Sequence, residues 1–329
     1  MTVRLTVQRA AWQDHIDAAT AAYGSGLMPV VKGNGYGFGR PLLHGIVKGV
    51  ADTVCVGTVH ELHDVPAALA AVVLTPVLTP VLAPELTATL AGRPPTVLTI
   101  GHLAHLQALA GWHGQVTVKL ASSMRRYGAQ PTELPELLAA ASTAGLTTVS
   151  FSLHLPLAGD DVARLAEIEA WLVQLPALAP LWVSHLSPSS FATLRAAHPD
   201  RSFAIRVGTG LWHGVPRGSF AHLTADVLQC HSVRAGETAG YFHSVVPCDG
   251  TLVVVGGGST HGIALLEGPD PARSSPLHFA RQRMALLERP HMHTTLAVVP
   301  RGQPCPRVGD QVDVQRPLID TTIDELRWT

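Results

Sequence analysis

Between Met28 and Arg206, short apolar runs alternate with longer stretches in which apolar residues recur every three or four positions. The runs are Met28–Val31, Thr53–Gly57, Ala71–Leu74, Thr96–Ile100, Gln115–Leu120, Thr148–Leu153, Leu181–Ser184 and Phe203–Val207, which makes eight candidate strands. The segments between them have helical length. In Asp161–Leu175 the residues Val162, Leu165, Ile168, Leu172 and Leu175 form one stripe, and Asp160 is placed to cap the helix. Strands that read as unbroken apolar runs are buried on both faces, which predicts a parallel sheet. Eight βα units within about 180 residues predict an α/β fold of the (β/α)8 TIM-barrel type rather than an open sheet.

After Gly214 the pattern changes. Thr251–Val255, Thr294–Val299 and Gln311–Val314 are short, rich in Val and Thr, and separated by Gly, Pro and Asp turns such as Gly309-Asp310. Residues 1–219 are therefore expected to form the barrel and residues 220–329 a mostly β C-terminal domain. Within the latter, 264–287 is expected to hold a long loop and a short helix.

Composition narrows the function. With 47% hydrophobic and 14% charged residues, the 329-residue chain is globular, not disordered. A formal net charge of −1 gives no basic stripe for nucleic acid. The first ten residues carry Arg4 and Arg9 but no apolar stretch, so no secretory signal is expected. Val65–Pro84 is apolar but interrupted by Pro76, Pro80 and Pro84, which argues against a membrane span. Cys55, Cys230, Cys248 and Cys305 form no CxxC pair, which suits reduced thiols in a cytoplasmic protein and predicts no zinc site or disulfide framework.

Chemistry in a βα-barrel sits at the C-terminal ends of the strands, and polar residues gather there. The first strand runs into Lys32, the fifth carries Lys119 with Arg126 seven residues on, His154 follows the sixth, His185 follows the seventh, and Arg206 lies in the eighth. Each alone fits a structural residue; together they point to an anion-binding catalytic rim. Only three of the 23 basic residues are lysine, namely Lys32, Lys48 and Lys119, and two of these lie on that rim. Val30, Val31 and the barrel interior would desolvate Lys32, which favours a neutral amine able to attack an aldehyde. An arginine could not do this. Gly33, Gly35, Gly37 and Gly39 let the backbone turn beside a bound group, yet they form neither a P-loop nor a dinucleotide fingerprint.

Val30-Val-Lys-Gly-Asn-Gly-Tyr-Gly-Phe-Gly39 resembles the pyridoxal-phosphate (PLP) lysine motif of the alanine racemases, the fold type III PLP enzymes. The resemblance runs from about Val3 to Asp313. Lys119–Gly128, His154-Leu, His185-Leu-Ser-Pro-Ser-Ser190, Arg206-Val-Gly-Thr-Gly, Gly240-Tyr241 and Pro290-His-Met-His-Thr follow in the family's order. It implies a PLP-dependent amino-acid racemase acting on a small amino acid by two bases. Lys32 would hold PLP and act as one base; Tyr241, supplied across a homodimer, would act as the other. Tyr36, Ser189, Gly208 and Thr209 would hold the phosphate, His154 would pack on the ring, and Arg206 would face the pyridine nitrogen. Arg126 and Met292 would contact substrate, with Lys119, which in the family can be carbamylated, and His185 in support. Taken alone, Tyr241 is also compatible with an interface aromatic and Ser189 with a helix cap. His291 and His293 lack a third ligand, so no metal is expected.

The chain also departs from the family. The entrance tyrosine is replaced within Gly256-Gly-Gly-Ser-Thr-His-Gly262, His293 stands in the place of an aspartate, and a final tyrosine is missing before Thr329, as in a member with a shortened C-terminus. These changes predict a more open, more polar channel. They leave as an alternative a PLP-binding protein of the same fold with another PLP reaction or little catalysis.

Overall fold

The computed structural model describes residues 2–78, 80, 88, 90, 95–214, 219–266 and 275–329. Its contacts divide into two compact units. One comprises His15–Gly35 and Gly39–Val215; the other comprises Met1–Asp14, Tyr36–Phe38 and Pro216–Thr329.

The first unit is the barrel. Its strands are β2 (Leu27–Pro29), β3 (Thr53–Val56), β4 (Ala70–Val73), β5 (Thr96–Ile100), β6 (Gln115–Leu120), β7 (Thr147–Leu153), β8 (Leu181–Ser184) and β9 (Phe203–Val207). All pair in parallel, in the order β2-β9-β8-β7-β6-β5-β4-β3. A parallel bridge between Val30 and Cys55, with the Val31 N–H donating to the Cys55 carbonyl at 2.8 Å, brings β3 back to β2. The result is an eight-stranded, nearly closed parallel barrel, and its strands coincide with the eight apolar runs. Continuous burial explains their legibility: every residue of β5 is buried, as are the last five of β6. The helix over Asp161–Leu172 is capped by Asp160, whose carboxylate accepts from the Ala163 N–H at 2.9 Å. Its buried stripe is Ile168, Trp171 and Leu172; Val162, expected in the stripe, is exposed.

The second unit is mostly antiparallel β. Strand β10 (Ala221–Val233) pairs first with β1 (Val3–Val7) and β18 (Gln311–Val314), and from Val227 with β13 (Gly250–Gly256), a pairing that bulges between Val227 and Gln229. β13 in turn pairs with β17 (Thr294–Pro300). The N-terminal strand β1 therefore belongs to this unit, and β19 (Glu325–Trp328) lies parallel to it on its other edge. A short hairpin, β11 (Thr238–Ala239) and β12 (Ser244–Val245), projects from this part of the chain. Val233, Val246, Leu252, Leu296 and Val298 form the core beneath it. Where a loop and short helix were expected over 264–287, the described residues 275–287 form three short strands, β14 (Leu277–Phe279), β15 (Gln282–Arg283) and β16 (Ala285–Leu286). Pairing of β14 with β18 and of β16 with β17 draws them into the sheet; residues 267–274 lie outside the described set. Among the described residues, no helix is long and apolar enough to cross a membrane.

Candidate active site

After β2 the chain passes through buried Val30 and Val31 to Lys32. The loop that follows is held from outside. Glu61 accepts from the Gly33 N–H through Oε1 at 3.0 Å and from the Gly57 N–H through Oε2 at 2.7 Å, so one carboxylate joins the ends of β2 and β3. Arg40 Nη1 donates to the Gly33 carbonyl at 2.6 Å, while Arg40 Nε donates to Asp64 Oδ2 at 2.8 Å. At Gly35, φ is +65° and a Cβ would stand 2.4 Å from the Arg40 backbone nitrogen, so only glycine fits. Lys32 is exposed at the rim. Even so, partial desolvation, and after it the Arg126 guanidinium, lower its amine below the usual lysine range, with Glu61 opposing the shift.

Around and below this rim, basic groups lie without acid partners. Lys119, near the end of β6, is 3% exposed. Among the described residues it makes no ion pair, and burial, followed by Arg206 and Arg126, pushes its amine down to about 5. Arg206, in β9, is buried and donates through Nη2 to the Leu153 carbonyl at 2.7 Å and through Nε to the Val183 carbonyl at 3.4 Å. Arg126 is exposed, with its guanidinium carbon 4.8 Å from the centre of the Tyr127 ring. None of Lys32, Lys119, Arg126 and Arg206 takes part in a salt bridge among the described residues. Buried Cys55 is pushed up to about 12 by desolvation, so it stays a thiol beside these cations.

His154 and His185 meet edge-on at 4.8 Å between ring centres. Burial, then Arg206, pushes His154 down to about 2 and His185 to about 4, so both rings are neutral near pH 7. Ser184 Oγ joins them, 3.0 Å from His154 Nδ1 and 2.9 Å from His185 Nδ1, while it accepts from the Leu155 N–H at 3.1 Å. A hydroxyl has one proton to donate. It therefore donates to one Nδ1 and accepts from the other, which gives the two imidazoles opposite tautomers.

The other predicted residues are distributed as follows. Ser189 lies in the first turn of the helix Pro188–Ala197, whose N-cap is Ser187, with its Oγ accepting from the Ser190 N–H at 3.2 Å. Ser189 is thus not the cap. Gly208 and Thr209 open the short helix Thr209–Trp212 after β9. Tyr36, Tyr241 and Met292 belong to the other unit. Tyr36 is buried with a left-handed backbone, φ +56°. Tyr241 lies in the turn of the β11–β12 hairpin and is exposed, with its ring 4.1 Å from that of His291. The Met292 carbonyl accepts from Thr260 Oγ1 at 2.6 Å. Sequence reasoning missed Glu61, Ser184 and Glu288. Ser184 carried a usable signal, as a hydroxyl directly before the predicted rim histidine His185.

A sequence model of the family described as "Alanine racemase, N-terminal domain" matches residues 7–216. The chain belongs to the alanine racemase family. Solved structures agree in fold. The alanine racemase from Bartonella henselae, with covalently bound pyridoxal phosphate, is 16% identical, with a TM-score of 0.73 and 100% of both chains covered. The biosynthetic alanine racemase from Pseudomonas aeruginosa is 20% identical, with a TM-score of 0.71 and 99% of each chain covered. An alanine racemase of Clostridium difficile 630 is 15% identical, with a TM-score of 0.71, covering 99% of this chain and 96% of the other. None of the curated protein sequences matches this chain.

In this alanine-racemase-family chain, two positions of the Gly256–Gly262 segment are closed to side chains. At Gly257, φ is +123° and a Cβ would fall 2.7 Å from Val3 Cγ2 and 2.8 Å from Ile263 Cδ1. At Gly258 a Cβ would fall 2.0 Å from the His291 carbonyl oxygen. No side chain fits at either position in this backbone. His293 packs edge-on against His261, at 5.7 Å between ring centres, and His261 Nε2 pairs with Asp324 at 3.1 Å.

Proposed function

We propose that this protein is a PLP-dependent amino-acid racemase that interconverts L- and D-amino acids with Lys32 and Tyr241 as its two bases, Tyr241 serving a second copy of the chain in a homodimer. The observation that carries the reading is the barrel rim. It holds a lysine whose amine is shifted toward its neutral form, beside the guanidiniums of Arg126 and Arg206, neither of which forms a salt bridge among the described residues. A buried guanidinium without an acid, as at Arg206, is costly unless an anion joins it. A phosphorylated aldehyde supplies both the anion and the electrophile for such an amine.

Pyridoxal phosphate fits this set of residues. Lys32 would hold it, His154 would pack on its ring, and Ser189 with the Gly208–Thr209 backbone would take its phosphate. When bound, it supplies an electron sink beside the substrate α-carbon. Arg206, a cation that keeps its charge, would disfavour protonation of the ring nitrogen. Arg126 pairs with the substrate carboxylate. Tyr241 moves the α-proton on one face and Lys32 on the opposite face, so a proton removed by one base is replaced by the other with inversion. The shift at Lys32 is toward the neutral amine, the state that can accept a proton. Four free cysteines suit a reducing, cytoplasmic setting.

The visible spectrum of the purified protein, before and after borohydride reduction, tests the cofactor assignment. The expected result is a band lost on reduction, with the modified peptide mapping to Lys32. A colourless protein in which Lys32→Ala changes nothing overturns it.

A further inference from the structure

Tyr241 is 79% exposed, yet the turn that carries it is built on a buried charge. The Glu288 side chain is only 4% exposed. Its Oε1 accepts from the Tyr241 N–H at 2.8 Å and from His291 Nε2 at 2.5 Å. Its Oε2 accepts from the Phe242 N–H at 3.3 Å and from Ser244 Oγ at 2.8 Å. Although burial works against the charge, these donors hold the carboxyl below its usual range, so it stays ionised. Gly240 is required twice over: its φ is +84°, and a Cβ there would fall 2.2 Å from Glu288 Oε1.

The hairpin itself has two residues per strand, too few to fix its tip unaided. The carboxylate does so instead. The same carboxylate orients His291, whose ring lies 4.1 Å from the Tyr241 ring at an interplanar angle of 34°. The Tyr241 hydroxyl, by contrast, makes no hydrogen bond among the described residues. Backbone and ring are clamped while the proton-bearing atom is left unengaged. That is the arrangement an acid–base group needs if ordering is to be done before the reaction.

We infer that Glu288 and His291 are positioning residues for Tyr241: the carboxylate fixes the turn, the imidazole fixes the phenol ring, and together they hold a free hydroxyl ready for the substrate α-proton. This rests on the racemase reading above.

Two measurements on the 329-residue chain test it. The chain has four tyrosines, so ring-labelled tyrosine gives four NMR signals, and Tyr241→Phe identifies one of them. In wild type the Tyr241 signal is expected to be shifted by the His291 ring. In Glu288→Gln and His291→Ala it should move to the position of a free tyrosine while the other three stay fixed, showing an intact fold. Alpha-proton exchange in deuterium oxide is then followed from each enantiomer separately. In Glu288→Gln, exchange from the hand served by Tyr241 should fall about 10²-fold in kcat with KM little changed. Exchange from the hand served by Lys32 should persist. His291→Phe, which keeps an aromatic ring at the contact, should lose less of this exchange than His291→Ala. An unmoved Tyr241 signal, or equal slowing from both hands, overturns the inference. If wild type exchanges both hands and Glu288→Gln matches it, only this inference falls; if wild type exchanges neither, the racemase reading falls with it.

Discussion

Arg206 Nη2 donates to the Leu153 carbonyl oxygen across 2.7 Å, anchoring a buried cation to a strand end without an acid. The guanidinium charge is therefore uncompensated by the protein, and it also depresses its neighbours: Arg206 follows only burial among the causes that lower Lys119, His154 and His185. Replacing it with methionine should raise the proton affinity of His154 and His185, read from imidazole NMR signals across a pH series.

Lys119 gives the stability of the cofactor-free protein a pH slope of known sign. In the unfolded chain its amine titrates near 10.5, whereas in the folded protein it does so near 5. Between those values the unfolded state holds more protons, so stability rises with pH across that window and the contribution flattens below it. Lys119→Met removes the proton and keeps the bulk. Its unfolding free energy, measured by denaturant titration at several pH values, should exceed that of wild type at neutral pH and vary less with pH. An equally steep profile would place the slope elsewhere.

Ser184 is a small residue with three hydrogen-bonding neighbours. Ser184→Ala leaves the Leu155 N–H and one imidazole N–H without an acceptor, and the other Nδ1 without a donor. A loss of about 1–3 kcal/mol in stability is expected. The two ring tautomers should also lose their opposite assignment, which nitrogen-15 imidazole spectra distinguish.

The barrel was readable from the sequence because parallel strands buried on both faces leave unbroken apolar runs, and because Lys32, Lys119, His154, His185 and Arg206 interrupt those runs at or near their ends. Other features had no local signature. Val3–Val7 pairs with residues more than two hundred positions away, so nothing near it reveals its sheet. The three short strands between Leu277 and Leu286 are made by their partners β17 and β18 more than by their own residues. Glu61 and Glu288 matter through backbone N–H groups brought to them by the fold, which residue type alone does not disclose. The crowding of Gly257 by Val3 and Ile263 likewise has no signature in the sequence around it.

That crowding has its own consequence. Gly257→Ala introduces a methyl group into occupied space at a φ of +123° and should destabilise the protein by about 1–3 kcal/mol, seen as a lower unfolding midpoint. An unchanged midpoint would mean that the segment can shift away from Val3.

The most direct test of the central claim is α-proton exchange in deuterium oxide with single enantiomers of the common amino acids, carried out on wild type, Lys32→Ala and Tyr241→Phe. The expected result is α-deuterated product of both hands from at least one amino acid. Tyr241→Phe should be slowed about 10²–10⁴-fold from one hand while retaining exchange from the other, and Lys32→Ala should be inactive from both. Wild-type protein carrying the reducible band at Lys32 but exchanging no amino acid of either hand would contradict it.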